Sequence, residues 1–215
     1  MRGIFVTFEG PEGAGKTTLI QQLYPVLEKQ ISRKIKLTRE PGGNMIAETI
    51  RQVILNPAHT QMDSRTEALL YAASRRQHLV DNVIPALNDG EVILCDRFVD
   101  SSIAYQGYAR GIGVDGVMDI NHFATDGMQP DITFYLDIDV TIGLERIQKH
   151  RTNEMNRLDF ESLEFHEKVR QGYLNIAQSQ SHRVVVLDAT QTTDKLVEQC
   201  VNILLQRFPE IFKTL

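Results

Sequence analysis

The chain has 215 residues, of which 42% are hydrophobic and 24% charged, a composition that is ordinary for a soluble globular protein and a length that suits one sizeable α/β domain. Its formal net charge of −5 excludes a global basic field for nucleic acid or an anionic membrane. No apolar run approaches the roughly 20 residues that cross a bilayer. No signal-like segment precedes the first predicted strand, and two cysteines suit a reducing compartment. We therefore expect a cytoplasmic protein that binds neither nucleic acid nor membrane.

Strand and helix signals alternate along the chain, which is typical of a parallel sheet covered on both faces. Strands are predicted at 4–8, 34–38, 92–96, 132–137 and 184–187. Helices are predicted at 16–30, 44–54, 65–87, 115–124, 140–149, 160–180 and 193–207. This order predicts a single domain over residues 1–215, with a five-stranded parallel sheet in a three-layer α/β/α arrangement. The cation-rich segment at about 149–159 suits a lid, and a solvated loop is the alternative.

A phosphate-binding loop lies between the first strand and the first helix, Gly10-Pro11-Glu12-Gly13-Ala14-Gly15-Lys16-Thr17. Its glycines let successive backbone N–H groups turn toward a polyphosphate, and the next helix directs its N-terminus at the same phosphates. We expect Lys16 to reach the β- and γ-phosphates and the Thr17 hydroxyl to bind Mg²⁺. The predicted ATP-binding residues are Gly10, Pro11, Glu12, Gly13, Ala14, Gly15, Lys16, Thr17 and Thr18. A chance glycine-rich turn is the alternative, and the register of strand, lysine and threonine disfavours it.

A second polar pair, Asp96 and Arg97, follows the third predicted strand. The carboxyl ends of parallel strands face the ligand crevice in folds of this kind. Asp96 is therefore placed to bind Mg²⁺ directly or through water, and Arg97 to clamp a phosphate between donor and acceptor. A surface ion pair without chemistry is the alternative for both residues. The guanine-reading pattern Asn-Lys-x-Asp does not occur in the sequence, which disfavours a GTPase.

Four further motifs resemble those of the thymidylate kinase family and occur in that family's order. They are Thr38-Arg39-Glu40-Pro41-Gly42-Gly43, the stretch Thr66 to Arg76, the stretch Asp96 to Gly107, and Asn156-Arg157-Leu158-Asp159. With the phosphate-binding loop they cover residues 3 to about 175. The resemblance implies a P-loop NTPase fold and transfer of the γ-phosphate of ATP to dTMP, which yields dTDP for dTTP biosynthesis. It also implies Mg²⁺ as the cofactor and a homodimer.

The resemblance further implies which residues bind dTMP. Glu12 would meet the 3′-hydroxyl of the sugar, Tyr105 would crowd C2′, and Arg97 with Arg51 would hold the phosphate. Arg39, Glu40 and Pro41 would line the site. The complete implied set is Glu12, Arg39, Glu40, Pro41, Arg51, Tyr71, Arg75, Arg97, Ser102, Tyr105 and Gln106.

Four of these residues would recognise the base. Tyr71, at a position that the family usually fills with Phe, would stack on thymine, and Arg75 would bond to O4. Ser102 and Gln106 would address the base edge. An arginine only donates hydrogen bonds, so it suits the thymine carbonyl and opposes the amino group of cytosine. From spacing alone, Tyr71 is more often a core residue and Arg75 a solvated cation, and the resemblance reverses that preference.

The thymidylate kinase family has two branches, which differ in the location of one catalytic cation. One branch carries an arginine within the phosphate-binding loop, and this loop has none. The chain therefore resembles the bacterial type in which the lid supplies the cation, and both Arg151 and Arg157 are candidates. Arg151 is preferred for contact with the transition state, and Arg157 equally suits a structural pair with Asp159. The predicted catalytic set is Lys16, Asp96, Arg97, Arg151 and Arg157.

Two other functions stay open at this point. One is a P-loop kinase for another nucleoside monophosphate or for a deoxynucleoside. The other is a nucleotide-switched binding module that hydrolyses its nucleotide slowly. A kinase produces ADP only when the right acceptor is present, whereas a switch hydrolyses its nucleotide without one.

Overall fold

Five parallel strands form one central sheet in the computed structural model, which describes residues 2–150 and 157–213 and only the backbone of His150, Asp159 and Phe160. The strands are β1 Ile4–Glu9, β2 Ile35–Arg39, β3 Val92–Asp96, β4 Ile132–Asp137 and β5 Val184–Asp188. They lie in the order β2-β3-β1-β4-β5. The predicted five-stranded parallel sheet is confirmed. Because β1 is central, the phosphate-binding loop that follows it emerges at the middle of the sheet's carboxyl edge.

Nine α-helices lie within the residues that the structure describes. They are α1 Lys16–Gln30, α2 Met45–Leu55, α3 Ser64–His78, α4 Ile84–Asn88, α5 Val99–Ser102, α6 Val114–Thr125, α7 Val140–His150, α8 Leu163–Ser179 and α9 Thr193–Arg207. Two π-helical segments, Leu79–Val83 and Ile103–Ala109, and two 3₁₀ turns, Arg157–Phe160 and Pro209–Ile211, complete the helical structure. None of these helices combines the length and apolar character that a bilayer crossing requires.

The sheet is covered by helices on both faces, as the alternating pattern predicts. On one face α1 and α9 pack together over the sheet, with residues such as Leu23 and Leu204 buried against Val6 and Phe8. On the other face α8 packs against the Ile103–Ala109 segment, and Tyr173 stacks on Tyr135 with ring centroids 5.1 Å apart. All six residues of β1 are buried, because this strand has neighbours on both sides and helices above and below. The three-layer arrangement is confirmed.

The structure differs from the sequence-based expectation in two helical regions. The helix predicted at 65–87 is divided into α3, the π-helical segment Leu79–Val83 and α4. A π-helical turn contains less than one residue more than an α-helical turn. The spacing of apolar residues through this region therefore still resembles that of one helix. Helix α5 and the segment Ile103–Ala109 were not predicted. Residues 151–156 of the predicted lid lie outside the described residues.

Candidate active site

The phosphate-binding loop adopts the backbone geometry that its glycines allow. Gly13 and Gly15 have φ angles of 73° and 88°, in the left-handed region that residues with a Cβ rarely adopt. A Cβ on Gly13 would lie 2.1 Å from the backbone oxygen of Gly143, so this glycine also lets α7 approach the loop. Gly15 forms the N-cap of α1 without any side-chain cap. The free N-terminus of α1 therefore points at the loop, where an anion is favoured.

Lys16 lies inside the curve of the loop. Its Nζ donates hydrogen bonds to the backbone oxygens of Gly10 and Pro11 at 3.0 and 2.9 Å. Burial, together with the positive charge of Arg97, lowers the pKa of Lys16 to about 8. An anion that enters the loop stabilises the charged form of this buried ammonium group, because it compensates for the hydration that the group has lost.

Thr17 and Asp96 bring two oxygen ligands together beside the loop. The Thr17 hydroxyl donates a hydrogen bond of 2.6 Å to Oδ2 of Asp96. Asp96 reaches this position because it is the last residue of β3 and pairs with Phe8 of β1, two residues before the loop begins. Hydroxyl and carboxylate oxygens suit Mg²⁺, which takes few protein ligands and completes its shell with phosphates and water. The described residues contain no group of three His, Cys, Asp or Glu residues arranged to hold a metal.

Arg97 spans the space between the loop and the π-helical segment. Its backbone has a φ of 70°, and its Nη2 lies 2.6 Å from Oε1 of Glu12. Its Nη1 donates to the backbone oxygen of Gly10 at 3.1 Å, and its guanidinium lies 5.2 Å from the ring centroid of Tyr105. Arg97, Glu12 and Tyr105 therefore form one connected group at the edge of the loop.

Beneath Arg97 lies a buried carboxylate that sequence reasoning missed. Glu9, at the end of β1, accepts hydrogen bonds from the Phe98 backbone N–H at 2.7 Å, the Ser101 hydroxyl at 2.6 Å and the Tyr173 hydroxyl at 2.9 Å. The same two hydroxyls also contact Nη1 of Arg97, at 3.1 and 3.3 Å. Burial and the nearby charge of Asp100 raise the pKa of Glu9 to about 7. The available signal was a glutamate directly before the glycine that begins the loop.

The loop forms the floor of a cavity of about 820 Å³ that extends to both sides of β1. We call the part beside β2 and β3 the α3 arm, which is lined by Arg39, Glu40, Pro41, Arg51, Leu55, Tyr71, Arg75, Ser101, Ser102, Tyr105, Gln106 and Leu158. We call the part beside β4 and β5 the α9 arm, which is lined by Arg146, Ile147, Ala189, Gln191, Thr192, Thr193 and Leu196. Glu12, Asp96, Arg97 and loop residues from Gly13 to Thr18 lie between the two arms.

Arg75 dominates the polar structure of the α3 arm. Its Nε donates to Oε2 of Glu40 at 2.7 Å, and its Nη1 donates to the Ser102 hydroxyl at 3.0 Å and also to Asn121. Its Nη2 donates to the backbone oxygen of Phe98 at 2.9 Å. Burial opposes the ionisation of Glu40, but Arg75 and His78 outweigh it and hold the pKa of Glu40 below its usual value. Glu40 therefore fixes a permanently charged, donor-only group at the wall of this arm.

The mouth of the α3 arm carries two more arginines and an aromatic ring. Arg39 and Arg51 both donate to the backbone oxygen of Pro41, at 2.9 and 3.1 Å. The peptide bond between Glu40 and Pro41 is cis. Tyr71, on α3, is half-buried and lines the same arm, one helical turn before Arg75. The structure thus brings together every residue of the predicted dTMP site.

Gln106 and Arg157 are joined through Glu67, a buried glutamate of α3 that was not among the predicted site residues. Gln106 donates from Nε2 to Oε1 of Glu67 at 2.7 Å, and Arg157 pairs with Oε2 of the same carboxylate. Arg157 also donates from Nε to the backbone oxygen of Ile54 at 3.1 Å. Within the part of the chain that the structure describes, Arg157 is therefore anchored to α3 and is not among the cavity-lining residues. Arg151, the other predicted lid cation, lies outside the described residues.

Sequence reasoning also missed the α9 arm. Arg146 donates from both terminal nitrogens to the backbone oxygen of Ala189, each at 3.2 Å, which ties α7 to the loop after β5. The signal was positional, because the loops that follow β4 and β5 lie at the same edge of the sheet as the phosphate-binding loop. The predicted loop residues Gly10 and Pro11 contribute carbonyl oxygens to Lys16 and do not line the cavity among the described residues.

This fold and this loop define a P-loop nucleotide-binding protein. Because the cavity has two arms, it has room for a second ligand beside the nucleotide. A sequence model of the thymidylate kinase family matches residues 8–200. The thymidylate kinase of Geobacillus sp. strain WCH70 is 59% identical over 196 residues, which cover 91% of this chain and 93% of that protein. The thymidylate kinase of Lacticaseibacillus casei strain BL23 is 54% identical over 213 residues, covering 99% of this chain and 100% of that protein.

The thymidylate kinase of Enterococcus faecalis strain V583 is 53% identical over 212 residues, covering 99% of this chain and 100% of that protein. Matches of this extent leave no large segment of the relatives without a counterpart. The chain belongs to the thymidylate kinase family.

Proposed function

We propose that this chain is a dTMP kinase, which transfers the γ-phosphate of ATP to the phosphate of dTMP in one domain formed by residues 1–215. The observation that carries the proposal, beside family membership, is a single cavity with the phosphate-binding loop at its centre and one arm on each side. Phosphoryl transfer mainly requires that two phosphates be held in line and that their charge be neutralised. A cavity with two arms that meet at the loop fits this requirement.

ATP would occupy the α9 arm, with its phosphates in the loop. Lys16 would leave the backbone oxygens of Gly10 and Pro11 and approach the β- and γ-phosphates, where its positive charge is better compensated. Thr17 and Asp96 would hold Mg²⁺. The side-chain oxygens of these two residues already lie within hydrogen-bond distance of each other. The metal supplies positive charge that neutralises the phosphates between which the group is transferred.

dTMP would occupy the α3 arm. Tyr71 would present a flat face for the base, and Arg75, fixed by Glu40, would donate to O4. Ser102 and Gln106 would face the rest of the base edge. A donor fixed at this position rejects an amino group at C4, because two donors face each other and neither finds an acceptor.

The sugar and phosphate of dTMP would lie nearer the loop. Glu12, held at 2.6 Å from Arg97, would accept from the 3′-hydroxyl, while Tyr105 lies at 3.4 Å from the same carboxylate and would crowd C2′. Arg97 and Arg51 would hold the phosphate, with Arg39 beside them. Because Arg157 is bound by Glu67, we propose that it anchors the lid and that Arg151 supplies the transition-state cation.

The test of this function is the nucleotide balance of the reaction. Purified protein with Mg²⁺-ATP should form ADP and dTDP in equal amounts when dTMP is added, and almost no ADP without it. Substantial ADP formation in the absence of an acceptor would instead support a nucleotide-hydrolysing switch.

We also propose a homodimer. Exposed apolar side chains are concentrated on α2, α3 and α6, where α3 packs between the other two helices, and they include Met45 at 84%, Leu69 at 56% and Phe123 at 88% exposure. A second copy of the chain would cover this face. Light scattering after size exclusion should report a dimer for the wild type and a monomer for a Leu69→Arg, Phe123→Asp protein. A Leu205→Arg protein, changed at an exposed leucine of α9, should stay dimeric.

A further inference from the structure

The amide of Gln106 is held in one orientation by Glu67. Gln106 lies in the π-helical segment Ile103–Ala109, is 2% exposed and lines the α3 arm. Its Nε2 lies 2.7 Å from Oε1 of Glu67. An ionised carboxylate only accepts hydrogen bonds, so the NH₂ group must face Glu67 and the carbonyl oxygen must face the other way.

Two arginines and the Gln106 amide keep Glu67 ionised. Besides Gln106, its carboxylate faces Arg110 at 3.3 Å and Arg157. Burial opposes ionisation, but Arg110, Arg157 and the Gln106 hydrogen bond outweigh burial and lower the pKa of Glu67. A glutamate that is only 1% exposed thus carries a full negative charge behind the base-binding wall.

We propose that Glu67 is a specificity-determining residue that acts through Gln106. By fixing the NH₂ group on its own side, it makes the Gln106 carbonyl oxygen Oε1 the atom offered to the base in the α3 arm. This assignment rests on the proposed binding of dTMP in that arm. Thymine and uracil carry an N–H donor at N3, which matches a carbonyl oxygen, whereas cytosine carries a lone pair at N3, which is repelled by it.

Glu67 and Arg75 would therefore exclude cytosine at two separate atoms. Arg75, itself fixed by Glu40, opposes the amino group at C4. The Glu67–Gln106 pair opposes the lone pair at N3. Substitution of Glu67 by glutamine should weaken only the second mechanism, because a glutamine can offer either its oxygen or its NH₂ group. Gln106 could then turn its amide and present a donor to cytosine N3.

The experiment compares the dissociation constant of dTMP with that of dCMP by calorimetry, since binding is measurable even where dCMP is not phosphorylated. In the Glu67→Gln protein, the preference for dTMP over dCMP should fall roughly tenfold relative to wild type, the effect of one mismatched hydrogen bond. The matched control is Glu161→Gln, which removes the other carboxylate bound to Arg110 without touching Gln106. Its preference should equal that of wild type.

A double-mutant comparison separates the amide orientation from a general effect on structure. In a Gln106→Met background, Glu67→Gln should no longer change the preference, because no amide is left to turn. An equal change in both backgrounds would overturn the proposal. Wild-type protein that does not phosphorylate dTMP would instead contradict the proposed function.

Gln106→Met alone provides a test that leaves the buried charges intact if Glu67→Gln does not fold. It should weaken dTMP binding roughly tenfold and leave dCMP binding unchanged or stronger. Equal weakening of both ligands would show that the carbonyl does not face N3, and the proposal would fail.

Discussion

The two arms of the cavity are built from different kinds of structure. The inner wall of the α3 arm contains polar groups that are already removed from water and paired, such as Arg75 and Gln106, each 2% exposed. In the α9 arm, Arg146 and Gln191 are only partly buried, and its polar wall includes backbone at Ala189. Groups fixed in advance reject a mismatched ligand strongly, because they cannot rearrange or recover water. If dTMP binds in the α3 arm and ATP in the α9 arm, as proposed above, the contrast predicts strict selection of the phosphate acceptor and tolerant selection of the phosphate donor.

The largest expected effect on turnover concerns Lys16, which lies between the arms and should affect the reaction of both ligands. We expect Lys16→Met to lower kcat by roughly 100- to 1000-fold, because a charge that stabilises the transferred phosphate is removed. Steady-state kinetics with saturating ATP and dTMP measure the effect. The control is Lys29→Met, at an exposed position near the end of the same helix, which should retain wild-type turnover. Turnover near the wild-type value in Lys16→Met would contradict the role of the loop.

A substitution in the α3 arm should separate the two ligands. Glu40→Gln leaves Arg75 buried without its charged partner, so we expect a loss of roughly 3–5 kcal/mol in the free energy of unfolding. The KM for dTMP should rise by at least about tenfold, with the KM for ATP little changed. Denaturant titration and kinetics measure the two effects. Glu48→Gln breaks the more exposed pair with Arg39 and should cost less than about 1 kcal/mol. Equal rises in both KM values would argue against separate arms.

Beneath the α3 arm, Glu9 should make stability depend on pH. Its pKa is raised to about 7 from 4.5, so the folded protein holds this proton more tightly than the unfolded chain does. The resulting stabilisation is complete below the unfolded pKa and is lost as the pH rises to about 7. The decline amounts to about 1.4 kcal/mol for each unit by which the pKa is raised. The Glu9→Gln protein has no titrating group at this position, so the free energy of unfolding of that protein should not show the decline. Parallel pH profiles for the two proteins would contradict the shift.

The smallest effect is expected in the α9 arm. Arg146→Ala removes the two hydrogen bonds to Ala189 but no fully buried charge. We expect a rise of about threefold to tenfold in the KM for ATP, with the KM for dTMP within about twofold of wild type. Initial-rate measurements with each substrate varied in turn provide the comparison. A larger rise for dTMP than for ATP would reverse the assignment of the arms.

Much of this molecule follows from its sequence, for physical reasons that also set the limit. The strands 92–96 and 132–137 were predicted with the bounds observed, because buried parallel strands are short apolar runs between polar ends. The loop motif predicted a turn with glycines in the left-handed region between β1 and α1, because its spacing is local. The pairing of Glu67 with Arg157 spans 90 residues and depends on how α3 packs, so no local pattern indicates it. The π-helical segment that carries Tyr105 and Gln106 likewise has no regular apolar period.

The most direct test of the account is a comparison of acceptor and donor preferences in one coupled ADP assay. With Mg²⁺-ATP, kcat/KM should be highest for dTMP and lower for dCMP by roughly 1000-fold or more, because two fixed polar groups are mismatched. With dTMP as acceptor, replacing ATP by GTP should lower kcat/KM by less than about tenfold, because the α9 arm is open. A monophosphate other than dTMP as the best acceptor, or a donor preference steeper than the acceptor preference, would contradict the account.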